Sequence, residues 1–191
     1  WEAITAAVGG DTSGLGRLLA PFSVRYIVVV EARAPGDPEV HAAPPLLLRA
    51  LGSQLDLEPV LGVDPALTIY RNTSWSPMRT SLPANVDVEV SGLAGLAATD
   101  LSRAEPVLTD VGSDGIAADG SVPGGGDVYL SSTAAPDWHL EVDGRSVERR
   151  DAFGWANAFP VDTGGDASLR YDTPLRRRAL LAGQVVLWGL A

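Results

Sequence analysis

The 191-residue chain has no cysteine, no lysine and only two histidines, His41 and His139. Lacking cysteine, it has neither a disulfide framework nor a thiolate metal site. Lacking lysine, it has no Walker-type phosphate loop, although Gly9 to Gly16 is rich in glycine ahead of a helix. No Gly-x-Ser-x-Gly elbow accompanies the histidines, and no EF-hand spacing accompanies the acids. All 14 basic residues are arginine, a bias typical of GC-rich coding.

Charge of one sign dominates. The formal net charge is −10, which argues against nucleic-acid binding because a phosphate backbone demands a basic surface. Hydrophobic residues make up 46% and charged residues 20%, enough apolar material for a core and too little charge for a disordered chain. The first residues, Trp1 and Glu2, carry no basic leader. The expectation is a segment taken from inside a longer protein.

An α+β fold is expected, with a small mixed α/β unit over 1–115. Residues 2–8 favour a short helix. A second should run through Leu15, Leu18 and Leu19, with Asp11 or Thr12 as its cap and Pro21 as its stop. Residues 24–30 read as a strand buried on both faces, being β-branched and almost wholly apolar. A proline-rich loop over 33–45, a helix over 46–55, and strands at 57–61 and 67–70 around the turn at 62–65 should follow. Further on, Val86 to Val90 alternates like a strand, 93–101 suits a helix and Val107-Leu108 a strand. The Gly-, Asp- and Ser-rich stretch 111–126 reads as a connector.

Short strand signals at 128–130, 138–142, 147–149, 158–161 and 169–171 then predict an antiparallel, sandwich-like unit over 120–173. Asp143-Gly144 marks a tight turn within it. Over 174–191, Arg176-Arg177-Arg178 precede an apolar run interrupted only by Gln184. A spanning helix needs about 20 apolar residues, and this run reads as the start of one flanked by anchoring arginines and Trp188.

No catalytic set, metal site or cofactor site emerges. His139 lies in a strand beside Trp138, and Asp110, Asp114, Asp119 and Asp127 lie in or beside the connector. Trp75, Trp138 and Trp155 are flat surfaces suited to stacking under sugar rings. Asn72, Asn157, Asp137 and Arg150 are close in sequence and offer hydrogen bonds. These tryptophans either form such a platform, with Asn72 and Asn157, or fill the core of a sheet. Trp75 has a loop context. Asn72-Thr73-Ser74 also fits a glycosylation sequon.

Two stretches carry a resemblance. One is Leu19-Ala20-Pro21-Phe22-Ser23-Val24-Arg25-Tyr26-Ile27-Val28-Val29-Val30 followed by Leu67-Thr68-Ile69-Tyr70-Arg71-Asn72. The other is Pro136 to Gly144, then Phe153-Gly154-Trp155-Ala156-Asn157-Ala158-Phe159, then Leu169-Arg170-Tyr171. Together they resemble the soluble region of actinobacterial membrane glycosyltransferases, family-2 proteins with YfhO-like membrane and extracytoplasmic parts. The resemblance implies a non-catalytic extracytoplasmic domain of a cell-membrane enzyme that makes cell-envelope polysaccharide. Its partners would be the rest of the parent protein and, in one version, an acceptor polysaccharide or lipid-linked glycan. A purely structural domain packed on membrane helices is the alternative. An independent glycoside hydrolase is the third, and would need two carboxylates converging in a cleft.

Overall fold

The computed structural model describes residues 1–30, 43–62, 66–111 and 115–173, with Gln184 and Trp188. His41, Asp114, most of the proline-rich loop, the turn residues 63–65, and the terminal arginines and apolar run apart from Gln184 and Trp188 lie outside the described residues. Among the described residues there are four helices and three antiparallel sheets, an α+β fold with sandwich-like sheets, and no helix is long and apolar enough to cross a membrane.

The first unit sets three helices on a three-stranded sheet. Helix α1 (Glu2–Gly9) ends at Gly10, whose φ of 82° is the left-handed cap that glycine adopts without strain. Helix α2 (Leu15–Leu19) runs into a 3-10 turn (Ala20–Phe22), and α3 (Pro45–Gly52) starts on a proline pre-set for a first helical turn. Strands β1 (Tyr26–Val30), β2 (Leu57–Val60) and β3 (Leu67–Asn72) pair in the order β1-β3-β2. Ala7, Leu15, Leu51, Leu57 and Tyr70 are buried between helices and sheet, with Ile27 and Val29 packed against them. Burying one such leucine contributes about 1.5–3 kcal/mol.

β1 departs from expectation. It is an edge strand covered on one face only, and Tyr26, Val28 and Val30 are 48%, 50% and 54% exposed. An unbroken apolar run conceals the period of two that distinguishes one buried face from two.

The second unit is a sandwich. One sheet has the order β11-β12-β8-β4-β5, formed by β4 (Arg79–Pro83), β5 (Glu105–Pro106), β8 (Gly126–Leu130), β11 (Arg150–Ala152) and β12 (Ala156–Val161). The other has the order β10-β9-β13-β7-β6, formed by β6 (Thr109–Asp110), β7 (Ala117–Val122), β9 (Trp138–Val142), β10 (Arg145–Val147) and β13 (Gly165–Tyr171). Val128, Phe159, Leu140 and Leu169 are among the side chains that fill the space between the sheets. The first of these sheets is also buried on its other face, where Tyr129, Phe153 and Ala158 meet Leu18, Leu82 and Leu96. Asp143 and Gly144, with φ of 49° and 72°, make the expected tight turn between β9 and β10.

Three expectations change here. Val86 to Val90 forms no strand: the Glu89 N–H donates to Asp87 Oδ1, and the carbonyl of the buried Val88 accepts the Phe153 N–H. Val107-Leu108 is a crossing rather than a strand. Leu108 takes a φ of 60°, and the chain passes there from β5 in one sheet to β6 in the other. The connector contains β7, which pairs with β13 from Gly165↔Val122 to Arg170↔Ala117. A Cβ at its Gly120 would lie a tight 3.3 Å from Leu108 Cα. The sandwich therefore begins at β4, and the division read from composition at 115–120 falls inside it. The 93–101 helix is present as α4 (Gly92–Ala98).

The 3-10 turn joins the two units. Tyr129 Oη and Ser131 Oγ both donate to the Pro21 carbonyl, at 2.6 and 2.8 Å, and Ser76 Oγ donates to the Ala20 carbonyl.

Candidate functional site

The two asparagines of the expected sugar platform are wholly buried. Asn72, at the end of β3, donates to the carbonyls of Gly16 and Val24 at 2.8 and 2.9 Å and accepts the Ser74 N–H. Asn157, in β12, donates to the Ser132 and Thr133 carbonyls and accepts from the Ala135 N–H and the Arg149 guanidinium. Each side-chain amide spends its hydrogen bonds within the protein, mostly on backbone groups distant in sequence, as a buried amide must. Neither is free for a ligand, and the buried Asn72 leaves the sequon closed.

The three tryptophans do not form one surface. Trp138 is buried in the sandwich core, its ring tilted 60° against Tyr171 at 5.1 Å. Trp155 is half-buried and stacks on Phe22 at 4.6 Å with 10° between the planes. Its indole N–H is buried without a partner. Trp75, like Trp155, is partly exposed. Its loop is fixed on both sides, because the Thr73 N–H donates to the Asp56 carbonyl and Ser76 Oγ to the Ala20 carbonyl.

The Arg25 guanidinium lies over the Trp75 ring at 4.7 Å, and at 5.5 Å from the Tyr26 ring centre. Arg25 and Tyr26 were hidden in the sequence by the strand reading. A run taken to be buried on both faces leaves no place for a surface arginine, whereas Arg25 is exposed and immediately precedes β1.

The remaining chemistry is structural. The glycine-rich start of α2 already holds an anion: Asp56 Oδ1 accepts the Gly16 N–H and Oδ2 the Arg17 N–H, while Gln54 Oε1 accepts the Leu15 N–H. The cap thus comes from 40 residues further along rather than from Asp11 or Thr12. Asp110 pairs with Arg79, Asp119 with Arg170, and Asp127 with Arg150. Asp137 makes no side-chain pair among the described residues; its carbonyl accepts the Asp172 N–H. His139 lies 3.7 Å from Asp172, both exposed on the outer face of the second sheet. Among the described residues no group of acids and histidines is placed to hold a metal ion.

The most apolar cavity, about 550 Å³, is an open groove lined by Trp1, Leu18, Leu19, Phe22, Leu93 and Leu96, and its one acidic lining residue is Glu2. Other cavities carry acids on their linings: Asp143, Glu148 and Asp162 in one, Glu141 and Asp172 beside His139 in a second, and Asp87 and Asp100 in a third. No family model, no curated protein and no solved structure matches the chain.

Proposed function

We propose that this chain is a non-catalytic extracytoplasmic domain of a membrane-bound glycosyltransferase of cell-envelope polysaccharide synthesis. In this reading the first unit packs against the rest of the parent protein. The observation that carries it is the uncovered face of the three-stranded sheet. Val28, Ile69 and Val60 lie side by side across β1, β3 and β2, with Val30 and Leu67 in the next row. Beyond them Leu61 is almost fully exposed.

The edge supports the same reading. Asn72 N–H donates to the Arg25 carbonyl in register with the β1–β3 ladder, so the backbone groups of Tyr26, Val28 and Val30 point away from β3. Among the described residues no strand pairs with that side. An apolar face beside an open edge is what a soluble protein avoids unless something covers it. The soluble-region resemblance supplies the covering body, and the burial of Trp138, Asn72 and Asn157 favours a structural role over a broad sugar platform.

The test is Val28→Asp in the full-length parent protein. It should lower the amount of assembled membrane protein and its polysaccharide product, while the same change in the 191-residue chain leaves the melting temperature nearly unaltered. A full-length variant that assembles and works like the unaltered protein would refute the packing role. A parent gene without membrane-spanning segments would refute the assignment as a whole.

A further inference from the structure

We infer that Arg25, whose guanidinium lies over the Trp75 ring and beside Tyr26, is a binding site for a sugar that carries a carboxylate or phosphate group. The inference rests on the reading above for the ligand being a glycan, and it names the part of the domain that would meet it.

The argument begins with the guanidinium. Arginine offers five N–H donors around the rim of a planar group, and stacking on an aromatic face leaves that rim available. Among the described residues, no carbonyl or carboxylate accepts a hydrogen bond from the Arg25 side chain. On the neighbouring row, Arg71 is paired with Glu58, and that partner holds its pKa above the usual arginine value. Among the described residues the Arg25 fork is thus unspent, on a scaffold tied down by hydrogen bonds.

The scaffold is rigid for identifiable reasons. Trp75 lies between Asn72 and Ser76, whose side chains are tied to Val24 and Ala20. The Arg25 carbonyl is itself tied to the Asn72 N–H. A pre-positioned planar fork matches the two oxygens of a carboxylate or phosphate. Tyr26, half exposed beside it, supplies an apolar ring on which a pyranose can lie. A merely structural cation–π pair would shield Trp75 equally well without favouring any anion.

The 191-residue chain is titrated by calorimetry with hexagalacturonate, glucose 6-phosphate, inorganic phosphate and neutral maltohexaose. Binding of either acidic sugar, with weaker or no binding of inorganic phosphate and of the neutral oligosaccharide, is the expected result. Whichever acidic sugar binds identifies the acid group. Arg25→Gln should weaken that binding about tenfold, as loss of a charged hydrogen bond does, and Arg25→Lys should restore it only in part. Both variants should keep the parent melting temperature. Equal binding of maltohexaose or inorganic phosphate, no binding of either acidic sugar, or unchanged affinity in Arg25→Gln would each overturn the inference. None of these outcomes bears on the Val28→Asp test, so the two readings fail separately.

Discussion

Asp56 occupies the anion position at the start of helix α2, its two carboxylate oxygens 2.9 and 2.7 Å from the amides of Gly16 and Arg17. The same glycine is pinned from the other side, since a Cβ at Gly16 would fall 2.3 Å from Asn72 Oδ1 and 2.8 Å from Asp56 Cγ. A glycine-rich approach to a helix invites a phosphate reading. Here the protein fills that place with its own carboxylate, and the closeness of β3 explains the glycine.

Asp56→Ala should therefore lower stability without touching any ligand. It strips one buried and one part-buried amide of their acceptor and removes negative charge from a helix N-terminus, a loss of about 2–3 kcal/mol. For a domain of this size that corresponds to a fall of roughly 5–10 °C in melting temperature. Asp56→Asn, which retains one acceptor oxygen, should fall between Ala and the parent. Thermal unfolding followed by circular dichroism measures both, and an unchanged melting temperature for Asp56→Ala would remove Asp56 from its capping role.

Tyr129 gives stability a dependence on alkaline pH. Its hydroxyl is enclosed between the sandwich and the 3-10 turn, and burial pushes its pKa well above the ordinary tyrosine value. A raised pKa means that the folded state keeps a proton which the unfolded state releases above about pH 10. This contribution is complete below that pH and is lost as the pH rises towards the folded value. Unfolding free energy measured in urea should fall between pH 10 and 11. Tyr129→Phe should flatten part of that fall while lowering stability at pH 7, because Pro21 then keeps only the Ser131 donor. An identical alkaline slope in the variant would show that other groups carry it.

Local signals in the sequence located most of the elements. The Asp143-Gly144 turn and the alternating Trp138–Val142 strand follow from rules that act over a few residues. What stayed illegible depends on partners distant in sequence. That β1 lies at an edge is decided by β3, some forty residues later, and the Gly-rich β7 is a strand only because β13 pairs with it. The candidate site shows the same division. Trp75 stood out as an aromatic in a loop. Asn72 and Asn157 gave no sign that their amides are consumed by carbonyls at Gly16, Ser132 and Thr133. Arg25, just before β1, became visible only once the strand reading over 24–30 was replaced by the structure.

Arg79 is the clamp that closes the sandwich at its crossing. It sits in β4 of one sheet and reaches Asp110 in β6 of the other, while its own carbonyl accepts the Val107 N–H where the chain changes sheets. The guanidinium is almost wholly buried but Asp110 is half exposed, so solvent screens part of the attraction. Arg79→Met keeps the stem's packing and deletes the charge. It should destabilise by about 2 kcal/mol, below the loss typical of a pair buried at both ends. Asp110→Ala should be worse than its exposed carboxylate suggests, because it strands a cation inside the protein. In the double variant the two losses should not add, since removing Arg79 also removes the reason Asp110 matters. Urea unfolding of the four proteins measures the coupling. Strict additivity would mean that the crossing at Val107-Leu108 is held by backbone pairing and packing, with Arg79 and Asp110 acting independently.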